Sequence, residues 1–451
     1  MLSCLAWFGL PAGGDSGRSP AFEGRSVATE ERQARRHGRV RADRGILVDD
    51  GGPFLALGAS LFWALWGERH DPDRLDRNLQ WLADRDFDYI RMLGMVGTES
   101  WRDRAIDPAA PDYWPIVDRL FARLARHGLR AQVTVFADAQ AMMRDPAARE
   151  RFAQAWAEYA ERHAAQVLLI ETANEYARNG LEAGEVRALT RRMNDRTAVL
   201  VASSAPPGPW PGVEPDRASA DDRAILAEWQ TLYGGGVADA LTFHADRDTG
   251  QPGGAWRPVS ELWALPDAGG DIPRLWINNE PIGPQSSLAS DDDPVRLAMS
   301  AAMSWISGMA AYTLHTGAGV RGGGAADRDL GRAANLWEVA QIDRTAAMLR
   351  QARAALPATV PNWRRVSWHE AGHPCRITPA QDEHDLSAHV AAIDGDRFVM
   401  ASIGVRRPLD CVSTVTAPVQ VFRPPFAAPA RVDARDGQPL RIEPPAQIVV
   451  R

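Results

Sequence analysis

The sequence predicts an α/β protein: a closed (β/α)8 TIM barrel followed by a C-terminal β-rich, sandwich-like domain. Three observations carry that expectation. Eight strand-like runs alternate with eight helical patterns between Phe54 and Ala355, the strand runs are mostly apolar, as a parallel sheet covered on both faces requires, and after Pro357 the helical periodicity stops. The 451 residues suffice for a barrel of ~250 residues plus an accessory module.

In chain order, residues 1–38 read as a leader: Met1 to Ala12, MLSCLAWFGLPA, resembles the apolar region of an export signal without its positive start, and Gly, Ser and Arg follow without apolar period. It is either a remnant of an export signal or a disordered tail, and the first reading favours a periplasmic or secreted protein over a cytoplasmic one. The barrel is expected over residues 39–356. A small hairpin from Arg39, with turns at Asp43 to Gly45 and Asp50 to Pro53, runs into the first strand, Phe54 to Ala59. Leu75, Leu79 and Leu82 mark a helix over Asp71 to Arg85 that opens with Asp-Pro, a cap residue followed by a proline at the first helical position. Strands at Phe87 to Leu93 and Leu129 to Phe136 flank a helix from Asp112 to His127 that Gly128 closes. The helix Pro146 to His163 leads to the fourth strand, which opens VLLI at Val167. Strands Ala198 to Ala202, Ala238 to His244, Arg274 to Asn279 and Met309 to His315 follow, with helices at Glu182 to Asn194, Ala220 to Leu232, Val259 to Leu265, Pro294 to Ile306 and Asn335 to Ala355. In residues 357–451, short runs such as Val390 to Ile393, Phe398 to Ile403, Val412 to Val415, Val419 to Phe422 and Gln447 to Val450 are broken by Pro, Gly and Asp.

Composition excludes several chemistries. The formal charge is −7, so no basic field points to nucleic acid. No run approaches the ~18 to 20 apolar residues of a membrane span. All 51 basic residues are arginine, which removes a lysine Schiff base and a Walker A phosphate loop. The cysteines Cys4, Cys375 and Cys411 form no CxxC, and with the first residues cleaved the last two could pair. No cofactor or metal is implied. The 16 tryptophans offer flat faces for sugar rings, although core filling explains most of them.

Polar residues gather where a barrel puts its chemistry. Arg91, Asp138, Asn174, Glu175, His244, Glu280 and His315 all fall at or just past the carboxyl ends of their strands. Two carboxylates on the fourth and seventh strands, Glu175 and Glu280, suit glycosidic bond cleavage, in which one carboxyl group protonates the leaving oxygen and the other attacks the sugar or activates water. Of such a pair one must stand ionised and the other must hold its proton at working pH.

The motifs ANE after the fourth strand and WINNEP at the seventh resemble the clan A glycoside hydrolases, the barrel group containing the cellulase-like family 5 and the family 39 enzymes. The resemblance covers roughly residues 39 to 356 and includes YIRML and ILVDDGGPFLALGASLFW. It implies a retaining hydrolase of β-linked oligo- or polysaccharides with Glu175 as acid/base and Glu280 as nucleophile. Arg91 would contact the nucleophile and keep Glu280 ionised, Glu175 would hold its proton, Asn174 would donate to the sugar hydroxyl beside the anomeric carbon, and His244 would contact nucleophile or substrate. Asp138 and His315 are further candidates for substrate contact. Trp63, Trp66 or Trp101 would stack on sugar rings, with core packing the competing role. Two departures from family 5 stand out: His315 lies near the place of a strand-eight tryptophan, and the third strand ends VFAD rather than in histidine.

A barrel that has lost catalysis and only binds carbohydrate is the alternative from another class. A third comes from His369 to His373, HEAGH, a match to the zinc motif HExxH. Pro374 and Gly372 oppose the helix that this motif needs. Gly317 to Gly322, GAGVRG, matches a dinucleotide fingerprint but runs into further glycines, so a rim loop is expected there.

Overall fold

The computed structural model describes residues 36–97, 104–205, 220–244, 271–281, 293–321, 333–367, 370, 372–376 and 386–451. Eight parallel strands close into a barrel: β4 (Ala56–Ser60), β5 (Tyr89–Leu93), β6 (Arg130–Phe136), β7 (Val167–Ala173), β8 (Val201–Ser204), β9 (Ala240–Phe243), β10 (Leu275–Asn278) and β11 (Met309–Leu314), with β11 pairing back onto β4. Every residue of these strands is buried, the condition under which apolar runs without alternation are stable. Three helices start alike. Asp71, Asp145 and Asp293 each accept a hydrogen bond from a first-turn N–H and each is followed by proline, so cap and pre-set φ coincide.

The first strand is not one run. Leu55 separates β3 (Gly52–Phe54) from β4, and β3 joins β1 (Arg41–Asp43) and β2 (Ile46–Asp49) in a three-stranded antiparallel sheet. Val40, Leu47 and Phe54 pack against Leu168, Leu200, Leu275 and Ala310, residues near the starts of barrel strands. This sheet plugs the amino-terminal mouth, where buried Asp49 also meets Arg130 at 2.8 Å. Only the opposite mouth is left for chemistry.

Other expectations moved. A helix, Ala64–His70, was not legible because its cap, Trp63, makes no side-chain cap bond and Gly67, a poor helix former, lies inside it. That glycine is required: a Cβ on it would lie 2.7 Å from the Trp63 ring. The fifth strand starts at Val201 rather than Ala198, since Glu161 captures the Ala198 N–H and the Thr197 hydroxyl and holds the approach as a turn. Gly317–Arg321, expected as a rim loop, is a short helix. Its Gly319 sits so close to the strand-end backbone that a Cβ would fall 2.0 Å from the Ser60 carbonyl oxygen. The leader up to residue 35 and the helix expected at Val259 to Leu265 lie outside the described residues.

After the barrel come β12 (Arg364–Arg365), β13 (Cys375–Arg376), β14 (Ala388–Asp394), β15 (Arg397–Ile403), β16 (Leu409–Ser413), β17 (Ala417–Phe422), β18 (Ala430–Ala434), β19 (Pro439–Ile442) and β20 (Ala446–Val450). They form a six-stranded sheet in the order β12-β14-β15-β20-β17-β18 and a three-stranded sheet β13-β16-β19, both antiparallel. In β15 the two-residue period is plain: Phe398 and Met400 enter the core between the sheets, while Val399, Ala401 and Ile403 join the barrel's own core. Cys375 and Cys411 are disulfide-bonded, with Cα atoms 5.5 Å apart.

Candidate active site

Arg91 is the centre of the open mouth. It lies in the middle of β5 with its side chain fully buried, and a buried guanidinium requires anions. Its Nη1 donates to Glu280 Oε1, and its Nη2 donates to Glu171 Oε2 at 3.0 Å and to Asn174 Oδ1 at 2.8 Å. Glu171 was not anticipated as a site residue. It points into the barrel from β7, where Thr134 Oγ1 donates to its Oε2 at 2.6 Å and Asn279 Nδ2 to its Oε1 at 2.8 Å. The available signal was a charged residue inside the otherwise apolar run VLLIETA.

Glu280 lies two residues past β10 and is almost wholly buried. Burial alone would push its carboxyl group up; the charges of His244, His315 and Arg91, with the Arg91 hydrogen bond, outweigh this and bring it down to about 2. It stands ionised. His315 approaches with Nε2 3.8 Å from Glu280 Oε2, while Ser60 Oγ holds its Nδ1 at 2.7 Å. Burial lowers this imidazole to about 4, against the opposing pull of Glu280.

Glu175 comes two residues after β7, at a φ of 36°, a left-handed backbone that non-glycine residues seldom adopt. The conformation is held locally: Asn179 Nδ2 donates to the Asn174 carbonyl oxygen at 2.5 Å, and the Arg178 N–H donates to that of Glu175 at 2.9 Å. It aims the carboxylate at His244, whose Nδ1 lies 3.4 Å from Glu175 Oε1 and 3.5 Å from Glu280 Oε2. These are ion-pair distances rather than closed hydrogen bonds, and neither ring nitrogen of His244 makes a hydrogen bond among the described residues. The geometry bounds the two carboxylate oxygens to at most 3.4 Å plus 3.5 Å, about 7 Å, apart.

One expectation about Glu175 is corrected. It was to hold its proton, yet in the free chain its carboxyl group lies below the ordinary range. Burial and the Glu280 charge raise it, but the contact and charge of His244, together with Arg178, prevail. Arg178 Nη1 reaches both carboxylate oxygens, at 3.2 and 3.1 Å.

Arg91, Asn174, Glu175, His244, Glu280 and His315 thus share one contiguous cluster. Three others do not join it. Asp138 accepts from the Gly97 N–H at 3.0 Å and has no contact with the glutamates among the described ones. Trp63 is fully buried, its indole N–H donating to the Ala318 carbonyl oxygen at 2.9 Å and its ring covered by Arg74 at 4.1 Å, so its role is core packing. Trp66 is half-buried beside His70. Trp101 lies outside the described residues.

The described residues of the HExxH segment form a turn rather than the helix that a zincin site needs. Glu370 pairs with Arg364 at 3.0 Å and accepts from the Ser367 N–H, and the His373 N–H closes a turn onto the Glu370 carbonyl oxygen. His369 lies outside the described residues. Among the described residues no three His, Cys, Asp or Glu side chains converge as a metal site would require.

No family model and no curated protein matches the chain. Solved structures do. A structure described as a glycoside hydrolase aligns over 92% of this chain and 96% of its own at 13% identity, with a TM-score of 0.65. A family 5 glycoside hydrolase from Bacteroides vulgatus gives 13% identity, 92% and 93% coverage and 0.65. A family 39 glycoside hydrolase from the gut symbiont Bacteroides cellulosilyticus gives 10%, 88% and 81%, and 0.52. At these identities the likeness is one of fold: the barrel and its C-terminal β-domain are shared over nearly the whole chain.

Proposed function

We propose that this chain is a retaining glycoside hydrolase acting on β-linked oligo- or polysaccharides. The observation that carries the reading is a pair of carboxylates sharing one imidazole, of which Glu280 is held ionised by buried Arg91 and Glu175 is the more exposed. Fold likeness to glycoside hydrolases supports it. With the oxygens that face His244 no more than about 7 Å apart, both carboxyl groups can reach one anomeric carbon, as a retaining mechanism requires.

In the first step Glu280 attacks the anomeric carbon as the glycosidic C–O bond breaks, and Glu175 gives its proton to the departing oxygen. A glycosyl ester on Glu280 results. In the second step Glu175, now a base, takes a proton from water as that water attacks the anomeric carbon and releases Glu280. Because Glu175 is ionised in the free chain, it must take a proton from solvent as substrate binds; exclusion of water raises its affinity for that proton, and loss of the Arg178 contact raises it further. Asn174, anchored through Oδ1 to Arg91, keeps its amide N–H groups for a sugar hydroxyl.

A panel of aryl β-glycosides tests the reading. Hydrolysis should occur in the presence of EDTA, fall at least about 10⁴-fold in Glu280→Ala, and fall about 10² to 10⁴-fold in Glu175→Ala for poor leaving groups. Activity intact in both variants contradicts the assignment, and chelator-sensitive peptidase activity contradicts the function.

A further inference from the structure

Beside Glu175 the mouth continues into a cavity of about 540 Å³ lined by Arg144, Arg178, Gln140, Asn179 and Asp138, enough for a sugar ring. We propose that this cavity is the subsite for the leaving-group sugar and that it takes an acidic one, a uronic acid whose carboxylate is held by Arg178 and Arg144. The proposal rests on Glu175 being the acid/base, since the leaving group departs on the side of that residue.

Two arginines face this space in different states. Arg178 bridges the cavity and the reaction centre, its guanidinium on Glu175 while its side chain stays largely exposed. Arg144 makes no side-chain ion pair or hydrogen bond among the described residues, although its backbone is fixed. Arg149, a buried arginine, donates from Nη1 to the carbonyl oxygens of Met143 at 2.6 Å and Arg144 at 3.0 Å, and its Nε holds Glu185 at 2.6 Å. The opposite wall is equally set. Asn179 Oδ1 accepts from the Asp138 N–H, and Gly180 at φ 74° approaches Gln140 so closely that a Cβ would fall 2.6 Å from its side chain. A cation on a braced backbone, without a partner among the described residues, is prepared for an anion that arrives with the ligand. Asp138, the carboxylate on the wall, is turned to the Gly97 N–H.

The charges account for the coupling to Glu175. Before binding, His244 and Arg178 together neutralise Glu175. A uronate drawing Arg178 away leaves Glu175 only the His244 that it shares with Glu280, and its raised affinity for a proton lets it take one from solvent. The acidic substrate thereby helps to load its own general acid, whereas a neutral leaving group relies on the exclusion of water alone.

Calorimetric titration of the unsubstituted full chain, with a non-cleavable thio-linked β-1,4-glucuronic acid trimer and the matching thio-linked glucose trimer, tests this at 0.15 M salt. The acidic trimer should bind at least about tenfold tighter, with close to one proton taken up near pH 7 when buffers of different ionisation enthalpy are compared. In Arg144→Gln/Arg178→Gln, both surface side chains, the preference should shrink to within about twofold, whereas Arg41→Gln/Arg44→Gln on the exposed hairpin at the other mouth should retain it. Equal affinity for the two trimers, a preference surviving in the cavity variant, or equal loss in both variants overturns the proposal. Aryl glycosides carry no leaving-group sugar, so their failure to be hydrolysed would count against the hydrolase reading and leave this binding result standing.

Discussion

Arg91 shows how much one buried side chain can organise. It faces two buried carboxylates, Glu171 and Glu280, and removing it leaves both without their cation. Arg91→Met is expected to destabilise the fold by about 3 to 5 kcal/mol in urea unfolding, while Arg178→Met, an exposed partner of Glu175, should stay within about 0.5 kcal/mol of the parent. Equal effects would show that burial does not decide the role of each arginine. At this scale the sequence was partly legible. Glu175, Glu280, Arg91, His244 and His315 follow from polar residues at strand ends, and the structure brings them together. Glu171, Thr134 and Asn279 were not read, because a polar residue inside an apolar strand carries no mark of which face it takes until the barrel closes. The protonation of Glu175 was misjudged for a similar reason. His244 reaches the carboxylate from another strand end once the barrel closes, and Arg178, only three residues away, needed a turn to place its guanidinium there.

Among the elements, strands announced themselves better than their ends. β7 supplies Glu171 inside the barrel and releases the chain into Asn174 and Glu175, so one strand feeds both the support and the chemistry. Its apolar start was plain, whereas its extension to Ala173 depends on pairing with β6 and β8. The short helix Gly317–Arg321 was missed because nothing local signals that the Gly319 carbonyl oxygen accepts from the Phe62 N–H and that Ser60 leaves no room for a side chain. In the C-terminal domain the disulfide ties β13 to β16 across 36 residues of chain. Loop-closure entropy gives such a link about 4 kcal/mol. Cys375→Ser/Cys411→Ser should therefore lower the unfolding midpoint of the oxidised protein, and a reductant should bring the parent to the same midpoint. A variant as stable as the parent would mean that the link contributes nothing.

Across the whole molecule, barrel and C-terminal sheet are joined by a common core: Val399, Ala401 and Ile448 belong to the same buried cluster as Trp305 and Leu349 of the barrel helices. Acid should act on both parts. His315 near the site and His389 in β14 are buried and held below their usual value, the first to about 4 by burial, the second by burial and the charge of His373. The unfolded chain binds these protons near pH 6.5 and the folded chain only far lower, so their stabilisation is complete above pH 6.5 and is lost as pH falls toward 4. Glu280, brought down to about 2, adds a second loss below pH 4.5. The unfolding midpoint should therefore be highest above pH 6.5 and decline in that order. A flat profile from pH 7 to pH 4 would contradict the burial of the two imidazoles. The barrel was legible because eight units repeat one pattern, and so was the β1–β2 hairpin of the plug; its third strand was not, since the fragments around Leu55 read as a single strand until β3 pairs with β2. Trapping the covalent intermediate tests the central claim most directly. Incubation with 2-deoxy-2-fluoro-β-glycosyl fluorides, followed by peptide mass mapping, should place one sugar on Glu280 and none in Glu280→Ala. Turnover of the parent sugars with the adduct on another residue, or with no adduct at all, would contradict Glu280 as the nucleophile.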